Sequence, residues 1–151
     1  MNYEIDKIDR RILEHLQANG RISQLELAQA VGLSPTPLGR RIKRLEDSGV
    51  IRGYKAEIDF KALGFGINVV VSVRLITRTP DASTQFLDAI RQRPEITECL
   101  LVTGDVDYLI RVRVKDIDAL RHFISHELQS LPCVSQTSTM VILDSTSFDR
   151  V

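Results

Sequence analysis

Tryptophan is missing from this chain, and aromatic residues make up only 5% of it. Aromatic side chains bring the largest apolar area per residue to a core. Cores built here must therefore be aliphatic, which suits two small ones better than a single large one. Cysteine is nearly missing too: Cys99 and Cys133 are the only two. They form no CxxC pair and no metal-ligand spacing, so the expectation is two reduced, mostly buried thiols rather than a disulfide or a redox switch. Long apolar runs are lacking, with stretches such as Val69-Val70-Val71 far short of the roughly 20 residues a bilayer span needs. The first residues are charged (Glu4, Asp6, Lys7), unlike a secretory leader. A soluble, cytoplasmic protein with no membrane partner is expected. Net charge is lacking as well, since Lys+Arg and Asp+Glu both number 20. That excludes a chain whose whole surface is built to hold a polyanion.

What is present is unevenly placed. Residues 40–55 carry Arg40, Arg41, Lys43, Arg44, Arg52 and Lys55 against only Glu46 and Asp47. A basic patch on a neutral chain points to one face that meets a polyanion. The length, 151 residues with 43% hydrophobic composition, suits one ordinary domain or two small ones with real cores.

Three helices open the chain. Residues 6–18 place Ile8, Ile12, Leu13 and Leu16 at helical spacing behind Asp6 as N-cap, and Asn19-Gly20 stops them. Residues 23–31 begin with Ser23 and Glu26 in capping-box spacing and end at Gly32. The third helix starts on Ser34 as N-cap and Pro35 at the first helical position, buries Leu38, Ile42 and Leu45, and stops at Ser48-Gly49. Residues 50–59 read as a short two-stranded ribbon turning near Gly53. Together these predict a winged helix-turn-helix over residues 1–59, followed by a linker at 60–66 containing Gly64 and Gly66.

The second half changes rhythm. Strands are expected at 67–76, 96–103, 108–114 and 134–143, and helices at 80–92 and 116–128. The second helix stripe is Ile117, Leu120, Ile124 and Leu128. The order βαββαβ predicts a ferredoxin-like domain over residues 67–151, and an α+β fold for the chain as a whole.

On a helical wheel of about 100° per residue, the third helix sets Leu38, Ile42 and Leu45 against Thr36, Arg40, Lys43 and Arg44. Pro37 and Arg41 lie at the borders. The apolar side seats the helix, while guanidinium forks and a hydroxyl suit phosphates and guanine edges. In a helix-turn-helix the start of the second helix enters the major groove, so Ser34, Thr36, Pro37 and Arg40 are the base-proximal candidates. Arg44, Arg52 and Lys55 suit backbone phosphates, and Arg41 and Lys43 complete the candidate DNA contacts. The competing reading is a solvated charged face. It is weakened by the scarcity of compensating acids and by the basic segment that follows the helix.

The stretch GRISQLELAQAVGLSPTPLGRRIKRLEDSGVIRGY, residues 20–54, resembles the DNA-binding region of the leucine-responsive/AsnC, or feast/famine, regulators. Residues 101–114, LVTGDVDYLIRVRV, resemble that family's regulatory domain. The resemblance implies a transcription regulator that binds double-stranded DNA, dimerises through its βαββαβ domain and often assembles into octamers. It implies an amino-acid effector bound between dimers near Thr103, Gly104, Asp105, Val106, Asp107 and Tyr108, with Thr137 and Thr139 of the final strand contributing. Local chemistry agrees: a glycine turn offers backbone groups, Asp105 or Asp107 suits an ammonium, and the threonine hydroxyls suit a carboxylate. A plain hairpin turn is the alternative for the same residues. Gly39 departs from the family pattern by standing inside the third helix, where it suggests close approach of backbone to DNA.

Three rival readings are weaker. His122 and His126 stand four apart on one helix, the spacing of a metal pair, but no third ligand obviously joins them. An enzyme would require a motif, and no P-loop, HExxH or GxSxG occurs. Some haem-pathway decarboxylases share the two-domain layout, so layout alone does not exclude that activity. An RNA-recognition domain would need exposed aromatics on its central strands, which offer only Tyr108. No enzymatic activity, cofactor or metal is expected.

Overall fold

The computed structural model describes residues 4–144, which divide into two compact units at Glu57/Ile58. The first unit holds α1 (Lys7–Ala18), α2 (Gln24–Val31) and α3 (Pro35–Asp47). Each start has a local cause. The Asp6 carboxylate accepts the N–H groups of Ile8 and Asp9 at 2.8 Å each, and Asp9 accepts the N–H of Asp6 in return. Ser23 and Glu26 form the same reciprocal box on α2, which ends at Gly32 with φ +74°, a left-handed cap that favours glycine. Ser34 takes the extended N-cap conformation before Pro35, but its hydroxyl makes no capping bond.

Ile12, Leu27, Ala28, Val31, Leu38 and Leu45 form the buried core of this unit, with Ile8, Leu13, Leu16, Ile42 and Ile51 packed against it. Burying each large aliphatic side chain contributes about 1.5–3 kcal/mol. The expected ribbon at 50–59 does not form: among the described residues no strand occurs before Ile67. The segment instead folds back on α3, through Ile51 N–H to the Leu45 carbonyl (3.0 Å) and Tyr54 hydroxyl to Glu46 (3.0 Å). The Ile51 N–H that a first ribbon strand would have offered is spent on α3, and the Tyr54 side chain is tied to α3 as well.

The second unit contains β1 (Ile67–Leu75), α4 (Pro80–Arg91), β2 (Ile96–Leu101), β3 (Tyr108–Val114), α5 (Ile117–His122) with a π-helical continuation (Phe123–Leu128), and β4 (Val134–Val141). The four strands form one antiparallel sheet in the order β2-β3-β1-β4, which is the βαββαβ arrangement. Strict alternation puts Val69, Val71, Val73 and Leu75 of β1 and Tyr108, Ile110, Val112 and Val114 of β3 on one face. Phe86, Ile90, Leu120, Phe123 and Leu128 complete that core. Asn68, Val70, Ser72 and Arg74 share the opposite face with Leu109, Arg111 and Arg113.

Two expectations need correction here. Ile117, assigned to the buried stripe of the last helix, is exposed, and Phe123 is buried in its place. Ile117 sits in the first turn of α5, directly after its Asp116 N-cap, and the π-helical stretch that begins at Phe123, with bonding five residues apart, shifts which later positions share a face. Residues 60–66 are also more than a spacer. Asp59 accepts the N–H groups of Lys61 and Ala62, the Phe60 and Phe65 rings meet edge to face, and the Arg113 guanidinium lies 3.9 Å over Phe60. The expected reach of the second domain to residue 151 extends outside the described residues.

Candidate nucleic-acid interface and ligand loop

α3 presents two faces. Leu38 and Leu45 are fully buried, while Thr36, Pro37, Arg40, Lys43 and Arg44 are exposed. Ser34 is exposed just before the helix, and Arg52 and Lys55 are exposed after it. Lys43 comes no nearer than 4.0 Å to Asp47, an exposed pair that leaves the ammonium available to water or phosphate. Cations and a hydroxyl on the outer side of the second helix of a helix-turn-helix are the equipment for phosphate and base contacts.

Arg41 does not join this face. Its Nη1 lies 2.6 Å from Asp6 Oδ2 and 2.8 Å from Asp9 Oδ1. Asp9 is entirely buried. The two carboxylates raise the guanidinium pKa further above its already high value. The Asp6 carboxyl is lowered by the Asp9 N–H and then by Arg41. The sequence reading placed Arg41 among the DNA contacts, and the side chain is instead committed within the protein. Asp6 and Asp9 carried a signal, since acids three residues apart ahead of an apolar run are a helix-start pattern. Their reach to α3 lies 32 to 35 residues along the chain and carries none. Gly39 lies on the flank of α3 toward α2, where an added Cβ would meet only Gln24 Nε2 at 3.9 Å.

The turn from β2 to β3 is held from one side. Arg78 Nη2 donates to the Gly104 carbonyl (2.9 Å), and Arg74 Nε donates to that of Asp105 (2.8 Å). The buried Asp107 carboxylate accepts the Leu75 N–H (2.8 Å) and pairs with Arg78 Nε (2.8 Å). Asp107 is thus spoken for and is not open to a ligand ammonium in this state. Tyr108 also departs from expectation. It is buried, with its ring 4.8 Å from that of Phe86. Thr103, Gly104 and Asp105 are exposed and Val106 is half-buried. Thr137 pairs with Val73, which pairs with Tyr108, so the start of β4 and this loop occupy the same end of the sheet. Thr137 Oγ1 accepts from Gln129 Nε2 at 2.9 Å, and Thr139 is exposed. Arg74 and Arg78 escaped the sequence reading, because nothing local ties an arginine after a strand to a turn about 30 residues away.

The His122 and His126 rings stack 4.7 Å apart, and among the described residues no three His, Cys, Asp or Glu gather to hold a metal ion. Cys99 and Cys133 are free thiols, both raised in pKa by burial. Among the described residues no helix is long and apolar enough to cross a membrane.

Residues 5–52 match the winged helix-turn-helix DNA-binding family model, and residues 68–151 match the Lrp/AsnC ligand binding domain model. The leucine-responsive regulatory protein of Escherichia coli K12 is 44% identical over 141 residues, covering 93% of this chain and 86% of the relative. A Neisseria meningitidis transcriptional regulator solved with L-methionine superposes with a TM-score of 0.90 at 34% identity, covering 96% of this chain and 94% of that one. The feast or famine regulatory protein of M. tuberculosis, also solved with L-methionine, gives 0.86 at 30% identity, covering 98% of each chain. These relatives are named as regulators, which removes the decarboxylase reading. With a DNA-binding helix-turn-helix followed by the family's own ligand-binding domain, the chain belongs to the leucine-responsive/AsnC family of transcription regulators.

Proposed function

We propose that this chain is a cytoplasmic regulator that reads DNA with the outer face of α3 and changes its assembly when an amino acid binds beside the 103–107 loop. The observation that carries the DNA half is the division of α3 into a buried Leu38/Leu45 side and an exposed Thr36/Arg40/Lys43/Arg44 side. Ser34, Thr36, Pro37 and Arg40 stand nearest the bases, and Arg44, Arg52 and Lys55 hold phosphates.

The effector is a small amino acid of the L-methionine class, the compound held by two of the relatives. Its ammonium is taken by Asp105, and its carboxylate by the hydroxyls of Thr103, Thr137 and Thr139 and the backbone of Gly104 and Val106. Self-association uses the sheet face that the helices leave open. Val70, Leu100, Leu109 and Met140 share that face by strand register, and Leu100 and Met140 are about half exposed. Dimers formed there build a larger particle, an octamer in this reading. Only an effector with unequal affinity for two assembly states shifts the balance between them.

Calorimetric titration of L-methionine into the full chain tests the effector half. Saturable heat in the parent that is lost in Asp105→Ala is expected. Equal heats in both remove Asp105 from the site, and no heat with any of the twenty amino acids removes the effector.

A further inference from the structure

Among the six basic residues between positions 40 and 55, Arg41 is bonded to two carboxylates by the same nitrogen. One of them, Asp9, is wholly buried, and its other oxygen takes the N–H of Asp6. The other, Asp6, is the N-cap whose Oδ1 holds the first turn of α1. A single guanidinium therefore joins the fixed start of α1 to the middle of α3. It lies one residue after Arg40, on the flank between the buried and the outward faces.

We infer that Arg41 is a positioning residue for DNA reading: it sets the angle and depth at which α3 offers Thr36, Arg40 and Arg44 to the groove, and touches no phosphate itself. The apolar core of this unit is aliphatic, and Leu38 and Leu45 resist a tilt of α3 only through packing. The charged bridge adds directional restraint, because short hydrogen bonds between ions weaken steeply with angle. Base contacts demand such restraint, while contacts to a uniform row of phosphates tolerate displacement. Arg41 thus matters for sequence discrimination more than for attraction to DNA. This rests on the reading that α3 enters the groove.

The test measures binding by anisotropy, from low to high salt, to two duplexes: an operator selected from a random library by the parent chain, and a scrambled control. The variants are Arg41→Gln, Asp6→Asn and, as a phosphate-contact control on the same helix, Arg44→Gln. Asp6→Asn is the gentle one, because asparagine caps a helix as well as aspartate does. It keeps the acceptor for Ile8 and Asp9 and turns a donor toward Arg41.

The expected result is a loss of operator-over-scrambled preference in both Arg41→Gln and Asp6→Asn, of roughly tenfold or more, as when a base contact is lost. The salt slope on the scrambled duplex should stay at the parent value, while Arg44→Gln lowers it by about 0.9. Asp6→Asn separates the alternatives by sign. Losing a negative charge near the interface tightens binding to both duplexes if charge alone matters, whereas loss of positioning weakens binding to the operator. A slope lowered by about 0.9 in Arg41→Gln, or an undiminished operator preference in Asp6→Asn, overturns the inference. If Arg44→Gln changes neither slope nor affinity, the reading of α3 fails instead. Should Arg41→Gln lose its helical signal, Asp6→Asn alone decides.

Discussion

Asp107 shows how one buried side chain decides what its loop can do. Its two oxygens satisfy the Leu75 N–H and the Arg78 guanidinium. Asp107→Ala strands a buried amide and releases Arg78, which typically costs about 1–3 kcal/mol. Urea unfolding should show that loss, and effector binding should weaken because Gly104 and Asp105 are no longer held. Full stability in the variant contradicts this account. Acid sensitivity also belongs at this scale. Asp6 is held below its ordinary value by the Asp9 N–H and then Arg41, and Glu26 by the Ser23 hydroxyl and then its N–H. Groups with lowered folded values stabilise the fold above the ordinary carboxyl range near pH 4, and that contribution disappears as pH falls through the lowered values. Between pH 5 and pH 2 the parent should therefore lose more stability than an Asp6→Asn/Glu26→Gln variant, as read by urea midpoints. Equal losses would show that neither group carries the linkage.

Among the elements, α3 shows most plainly what periodicity reveals and what it hides. Its buried stripe, its proline start and its cationic face were all legible, because each follows from spacing within 13 residues. The role of Arg41 was not, because it depends on where α1 begins. The ribbon at 50–59 failed for a related reason. Val50 and Ile51 look like strand residues, but a ribbon needs a second strand, and Ile51 and Tyr54 are bound to α3 instead. In the last helix the 3.6-residue stripe misassigned Ile117, which lies in the exposed first turn, and missed Phe123, where a π-helical stretch with no signature in apolar spacing begins. Gly39 gives this scale its prediction. A Cβ there meets only Gln24 Nε2, at an ordinary van der Waals distance, and alanine is favoured over glycine in a helix interior by about 1 kcal/mol. Gly39→Ala should raise the melting temperature with DNA affinity unchanged. A drop in affinity would mean that the backbone at Gly39 does approach DNA.

For the whole molecule, the sheet gives a physical reason for placing the proposed sensing and self-association in the same unit. Helices cover one face through Phe86, Phe123 and Leu128, and the other carries Val70, Leu109, Leu100 and Met140. Leu109→Glu places a charge in the middle of that open face. It should lower the particle mass measured by light scattering while leaving the circular dichroism spectrum intact, because Leu109 lies outside the core. An unchanged mass would place self-association elsewhere. The βαββαβ order along the chain and the helix-covered core were legible from strand alternation and helical spacing, whereas the arginine clamp on the 103–107 loop required the folded sheet to bring Arg74 and Arg78 across. The central claim is that DNA reading in one unit answers to an amino acid held by the other. It is tested most directly by titrating the full chain onto DNA from upstream of its own gene, at fixed salt, with and without each of the twenty amino acids. A specific complex whose affinity or stoichiometry shifts with one or a few amino acids, L-methionine or a similar side chain among them, is the predicted result. A specific complex indifferent to all twenty would contradict it.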